Sequence, residues 1–159
     1  MPRTAVVAVI LGALAGCGFH LRGQSPLPAV VATPYVDAPD RYTALYTALD
    51  QRLRAAGARP VPSAAGASAV IRLHADDTGR ELLSVTADNK PGEYEVYYAA
   101  EFSVASGSTE LLSRQQVKLS RDYGYDESAV LAKAHEEESL RVALAGEFAD
   151  LILRRLAAL

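Results

Sequence analysis

The chain has no tryptophan and a single cysteine among its 159 residues. One cysteine excludes an intramolecular disulfide and any paired-cysteine metal cage. Aromatic packing falls to eight tyrosines and three phenylalanines, and most of the tyrosines are expected to keep the hydroxyl wet. There is no excess of positive charge either. A formal net charge of −3, with 22% charged residues, excludes the broad basic surface that holds nucleic acid through its phosphates. The most apolar run, Thr4 to Leu14, is far short of the roughly 20 residues a spanning helix needs. What is present is a single-domain length that is 50% hydrophobic, enough for a core without a metal or disulfide staple.

Signs of catalysis are also missing. No Gly-x-Ser-x-Gly elbow and no glycine-rich phosphate loop after a strand occurs. His20, His74 and His135 fall on distant stretches, and His135-Glu136-Glu137-Glu138-Ser139 supplies only one histidine where a zinc helix needs two. That acidic run reads as a solvated helix face. With 19 acidic residues, carboxylate pairs are easy to find, but no motif singles one out for acid–base work. The expectation is a protein that is not an enzyme and has no cofactor and no metal.

The first residues read as an address. Arg3 gives one positive charge, the apolar run Thr4 to Leu14 follows, and Leu14-Ala15-Gly16 leads into Cys17. This is the grammar of a secretory signal, and its end looks like a bacterial lipobox, with the chain's only thiol where a diacylglyceryl group would be attached. The expected division is a lipoprotein signal peptide over 1–16, an acylated tether over 17–29 and one domain over 30–159. Cleavage before Cys17 removes Arg3 and takes the net charge from −3 to −4. A single acyl chain binds a membrane marginally, so the S-diacylglycerol and N-acyl (palmitate-type) groups together make a stable anchor. Gly18, rather than an inner-membrane-retaining Asp, points to the outer membrane.

Beyond the turn-rich Gly23 to Pro28, hydrophobic period assigns the elements. Val30 to Val36 reads as a strand, held to an edge by Pro34. Leu45, Leu49 and Leu53 recur every four residues, which predicts a helix over about 41–56 with Asp40 as N-cap and Gly57 as its stop. From Ala69 the period is two, with a second β-prone run from Glu81 to Ala87 after the Asp77-Thr78-Gly79 break. Lys90-Pro91-Gly92-Glu93 fits a type II turn. Beyond it Tyr94, Val96, Tyr98, Ala100, Phe102 and Val104 share one face. Leu111 to Ser120 makes the third meander strand. Leu140, Leu144, Phe148, Ile152 and Leu156, with Leu151 beside them, predict a helix over about 127–158 that carries wet Glu137–Arg141 and Asp150–Arg154 pairs. The predicted fold class is α+β, a two-layer sandwich in which a mainly antiparallel or mixed four-stranded sheet carries two helices on one face.

Cys17-Gly18-Phe19-His20-Leu21-Arg22-Gly23 is not the featureless polar tether that usually follows a lipobox. It resembles the mature start of the LPS-assembly lipoprotein family, LptE, which reads Cys-Gly-(Phe/Trp)-His-Leu-Arg. The order of elements is similar over essentially the whole mature chain, and Arg52-Leu53-Arg54-Ala55-Ala56-Gly57, Glu93-Tyr94 and Ala132-Lys133 sit where similar residues occur. The resemblance implies a lipid-anchored outer-membrane subunit of the lipopolysaccharide translocon, with its domain facing the periplasm or within a barrel lumen. It would plug the LptD β-barrel in a 1:1 complex, assist its assembly and help deliver lipopolysaccharide to the outer leaflet. It also implies ligand-touching basic residues at the central hairpin tip and near the entrance of the last helix. Lys133 matches the second; at the tip the pattern is shifted and Lys90 is the nearest substitute. Arg114, Lys118 and Arg121 are weaker candidates, and each lysine also reads simply as a solvated surface residue. The alternative function is a free-standing periplasmic lipoprotein that binds a small ligand, the cell wall or another envelope complex.

Overall fold

The computed structural model describes residues 27–159. The expected signal peptide, Cys17, His20 and most of the expected tether lie outside the described residues. The chain forms strands β1 (Pro34–Asp37), β2 (Ala69–Val85), β3 (Pro91–Ser106) and β4 (Thr109–Gly124), with helix α1 (Ala44–Ala55) between β1 and β2 and helix α2 (Val130–Leu156) at the end. The sheet order is β1-β2-β3-β4. β1 runs parallel to β2, and the three long strands form an antiparallel meander. This is the predicted mixed four-stranded α+β sandwich.

Local chemistry explains the elements, including where they depart from expectation. Ala29–Val31 forms a 3-10 turn after Pro28 and the strand starts only at Pro34. Burial of Val31 is reached by the turn rather than by extension. Pro34, which has no N–H to give, opens an edge strand. The cap of α1 is Thr43, whose hydroxyl accepts from the Tyr46 amide at 3.1 Å, while Asp40 closes the preceding turn on the Tyr42 amide. Gly57 stops the helix at φ +89, as expected of a C′ glycine. β2 is one strand of 17 residues, not two. Asp77-Thr78-Gly79 does not break it, because Thr78 donates to the Tyr97 carbonyl at 2.7 Å and Gly79 pairs opposite Tyr97.

The central hairpin reverses about three residues earlier than predicted. Thr86 and Lys90 close the turn, with the Thr86 amide on the Lys90 carbonyl at 2.7 Å. Asn89 takes the left-handed conformation at φ 60, which Asn tolerates better than most residues. Pro91 and Gly92 therefore belong to β3 and no type II turn forms there. Ahead of α2, Glu127–Ala129 is a short 3-10 turn, with Asp126 accepting from the Ser128 amide.

The core lies between the sheet and the helices. Val96, Tyr98, Ala100, Phe102 and Val104 from β3 are buried, as their alternation requires. They meet Leu45, Leu49 and Leu53 of α1 and Leu144, Phe148, Ile152 and Leu156 of α2. Phe148 packs on Tyr98 and Phe102 at ring separations of 6.4 and 6.3 Å. Side chains of this size each stabilise by about 1.5–3 kcal/mol when fully buried. Asp150 does not pair within its helix; it bonds Arg52 of α1 at 2.7 Å and ties the two helices together. Among the described residues no helix is long and apolar enough to cross a membrane.

Candidate functional site

The long hairpin β2–β3 and the first turns of α2 end at the same pole of the molecule. Two layers of interaction build that pole. In the inner layer Arg80 faces the helices, since it pairs across from the buried Val96. It donates to Glu137 Oε2 at 2.8 Å. The Tyr123 hydroxyl donates to the same oxygen at 2.7 Å, and Arg141 holds the other oxygen. The Arg80 guanidinium also lies 4.6 Å from the centre of the Tyr94 ring, which stacks on Tyr123 and meets Tyr125 edge-on.

Glu137 is 6% exposed, so the predicted wet Glu137–Arg141 pair forms, but under the sheet. The reason is the partner count: two guanidinium groups and a phenol replace the water that the carboxylate loses. Burial pushes its pKa up, but the hydrogen bonds from Tyr123 and Arg80 and the positive charges of Arg141 and Arg80 outweigh that. The carboxyl ends below the ordinary value of 4.5. Burial also pushes the Tyr123 hydroxyl up, with the bond to Glu137 acting in the same direction.

The outer layer holds the residues read from sequence. Lys90 closes the hairpin turn and its ammonium reaches Glu127 at 2.7 Å. That hydrogen bond, and the charge behind it, raise its pKa. Lys133 sits in the first turns of α2 and bonds Glu136 at 2.8 Å. Asp126 belongs to this layer as well: the Ser128 hydroxyl and amide lower its pKa, and so does the charge of Lys133. Lys90, Tyr125, Asp126 and Glu127 line a shallow depression of about 450 Å³. The structure therefore brings Lys90 and the entrance of α2 together, each lysine already held by a carboxylate. An incoming anion would have to compete with Glu127 and Glu136. Cys17 lies outside the described residues.

Exposed apolar side chains border this pole: Leu82, Leu83 and Val85 at the end of β2, and Val130 and Leu131 at the start of α2, the last 88% exposed. The sequence predicts the β2 residues as a strand but not their exposure: Leu82 pairs with Tyr94 on the helix side, whereas Leu83 is the extra residue of a bulge between Leu82 and Ser84. The inner network was missed as well, because Arg80 and Glu137 are far apart in sequence. The weaker basic candidates are engaged elsewhere: Arg114 with Glu101, Lys118 with Glu95 and Glu81, and Arg121 with Glu147. His74 shares a bond with the Ser103 hydroxyl. Among the described residues no group of three or more His, Cys, Asp or Glu is arranged to hold a metal ion. The pole offers cations beside apolar groups, which suits a ligand that carries anionic groups next to hydrocarbon.

Comparison with known proteins bears on the whole domain. The model of the family described as "LptE: Lipopolysaccharide-assembly" matches residues 31–156. The chain is 27% identical over 154 residues to the LPS-assembly lipoprotein LptE of Pectobacterium atrosepticum, across 96% of this chain and 83% of that protein. The crystal structure of the rare lipoprotein B of Shewanella oneidensis superposes with a TM-score of 0.70 at 31% identity, covering 79% of this chain and 94% of that one. The solution structure of a lipoprotein B from Nitrosomonas europaea gives a TM-score of 0.73 at 28% identity, over 89% and 91% of the two chains.

Proposed function

The chain belongs to the LptE lipopolysaccharide-assembly family, and from that premise we propose that it is a non-catalytic, lipid-anchored subunit of the lipopolysaccharide translocon in the outer membrane. Residues 1–16 are removed as a signal peptide, Cys17 carries the acyl groups, 17–29 is the tether and 30–159 is the working domain. The domain plugs the LptD β-barrel in a 1:1 complex and assists its assembly. A barrel lumen is polar, and the strands offer it Glu, Gln, Ser, Arg and Lys. Lipopolysaccharide passes the hairpin pole on its way to the outer leaflet.

One observation carries the lipid-handling part of this reading. Lys90 and Lys133 stand at the same pole as the exposed Leu82, Leu83 and Leu131, so phosphates and acyl chains of one ligand find complementary groups together. The test is depletion of the chain from its Gram-negative host, followed by assay of newly made lipopolysaccharide at the cell surface. A fall in surface lipopolysaccharide, restored by the intact chain, is expected. Undiminished delivery after depletion would overturn the proposal.

A further inference from the structure

Strands β1 and β2 begin together, Pro34 opposite Ala69, at the end of the sheet where β3 stops and β4 starts. This end lies opposite the hairpin pole, and both helices finish there. Thr43 and Ala44, at the start of α1, share a cleft with Glu138 and Arg141 of α2, and further along Arg52 meets Asp150 at 2.7 Å, so the helices run in the same direction. The chain leaving α1 returns beside the chain entering β1. The Arg59 amide donates to the Ala32 carbonyl at 2.8 Å, and the Val61 amide to the Pro34 carbonyl at 2.9 Å. Leu27, the first described residue, packs on the core just ahead of that segment. Cys17 stands ten residues before Leu27, a stretch that reaches at most about 35 Å. This is therefore the end of the domain nearest the expected acyl anchor.

The cations of this end are surplus to the fold. Arg41, Arg59, Arg154 and Arg155 make no ion pair among the described residues. Arg41 is engaged in another way: it donates to the Tyr35 hydroxyl at 2.7 Å, with its guanidinium 5.5 Å from the centre of that ring. The other three all stand at the anchor end. Arg154 has two carboxylates beside it, but Arg121 holds Glu147 and Arg52 holds Asp150. A cation in the last turn of a helix is favoured by the helix dipole, which accounts for Arg154 and Arg155; Arg59 is exposed and lies in no helix. One acid, Glu110, opens β4 at the same end, opposite Ala105. By contrast Asp88, Glu93, Asp122 and Asp126, which also lack an ion pair, stand at or near the hairpin end. Charge is thus separated along the length of the domain.

We infer that Arg59, Arg154 and Arg155 form a membrane-facing surface that seats this end of the domain on the anionic phospholipid headgroups of the leaflet holding the acyl anchor. The inference rests on the reading of Cys17 as the acylated residue. A guanidinium takes a phosphate through two parallel N–H bonds, and a lipid surface supplies the phosphates that the folded domain does not. The attraction fades within a Debye length, about 8 Å at physiological salt, so only the end that the tether keeps at the surface can use it. Tethering also raises the effective concentration of headgroups, and three weak contacts then suffice. The consequence is orientation. β3 has 16 residues and spans about 50 Å, and the unpaired carboxylates near the hairpin are repelled by the surface that attracts the arginines. Lys90 and Lys133 are thereby held away from the leaflet in which the chain is anchored.

The test uses the full acylated chain reconstituted into vesicles of phosphatidylcholine, with or without phosphatidylglycerol. A fluorophore is placed on Ala158→Cys at the anchor end or on Asp88→Cys in the hairpin turn, and a lipid with a nitroxide on its headgroup quenches it. With phosphatidylglycerol present, quenching at position 158 is expected to be roughly threefold that at position 88. High salt, or the combined Arg59→Gln, Arg154→Gln and Arg155→Gln variant, should bring it down to the level in phosphatidylcholine alone. Quenching at 158 that is the same in both vesicle types, or that a folded triple variant retains in full, would overturn the surface while leaving the anchor intact. A chain that floats with neither vesicle type refutes the reading of Cys17 itself, and the surface falls with it. Circular dichroism checks the fold of the triple variant; should it not fold, the two vesicle compositions and the salt series, measured with the native arginines, decide the question alone.

Discussion

Arg80 and Glu137 lie 57 residues apart in the chain and meet at 2.8 Å beneath the sheet. The contact pins the far half of β2 to the second helix at the point where the apolar core gives way to polar groups. Leu144, Phe148, Ile152 and Leu156 hold one end of α2 through hydrocarbon; Glu137 holds the other through charge. This is why the hairpin pole, with its two lysines, keeps a fixed place relative to the entrance of α2.

Replacing Glu137 by Ala leaves Arg80, Arg141 and the Tyr123 hydroxyl without their shared acceptor. Removing one member of a buried pair costs about 3–5 kcal/mol. Here the arginine side chains are 46% and 28% exposed, and water can take up part of the loss, so a destabilisation of about 2 kcal/mol is expected. Urea unfolding of the soluble domain measures it. Arg80→Ala should cost less, and the double variant little more than Glu137→Ala alone.

The same carboxylate sets an acid limit. Its folded pKa is below the ordinary 4.5, so its stabilisation is fully present above the unfolded value and is lost as pH falls through the folded one. The unfolding midpoint should therefore drop on acidification from about pH 5 downward, and Glu137→Gln should flatten that drop. An identical slope in the variant would assign the acid sensitivity to other groups, such as Glu101 beside Arg114, whose pKa is also lowered.

Lys90 and Lys133 bond only exposed or half-exposed carboxylates. Their joint replacement by Ala should leave the unfolding midpoint unchanged and reduce the lipopolysaccharide that stays with the purified protein. Glu127→Ala frees the Lys90 ammonium and should act in the opposite direction. Retention unaffected by either change would remove these lysines from the ligand path.

Cys17→Ala removes the only thiol of the chain. The variant should keep an uncleaved or unacylated N-terminus and shift from the membrane to the soluble fraction, as read by intact mass and fractionation. An unchanged mass and distribution would refute the lipobox.

Much of this architecture is legible in the sequence because its strongest signals are periodic. The alternation of Val96, Tyr98, Ala100, Phe102 and Val104, and the four-residue spacing of Leu45, Leu49 and Leu53, each bury one face and leave the other wet. Signals that depend on a distant partner are not legible in the same way. Asp77-Thr78-Gly79 looks like a break until Tyr97 is laid over Gly79. Glu137 looks solvated, as one of three consecutive glutamates, until Arg80 and Tyr123 arrive from the sheet. Asn89 displaces the expected Pro-Gly turn because it takes the positive φ three residues ahead of Gly92. At the candidate site, family likeness points to the lysines, whereas the exposure of Leu82 and Leu83 depends on a strand register and a bulge that no local pattern announces.

The most direct test of the account is a mild-detergent retrieval of the tagged chain from outer membranes, with the mass and stoichiometry of whatever remains bound. The account predicts one large β-barrel protein at equal stoichiometry, with lipopolysaccharide in the same complex. Recovery of the lipoprotein alone, as a monomer, would contradict it.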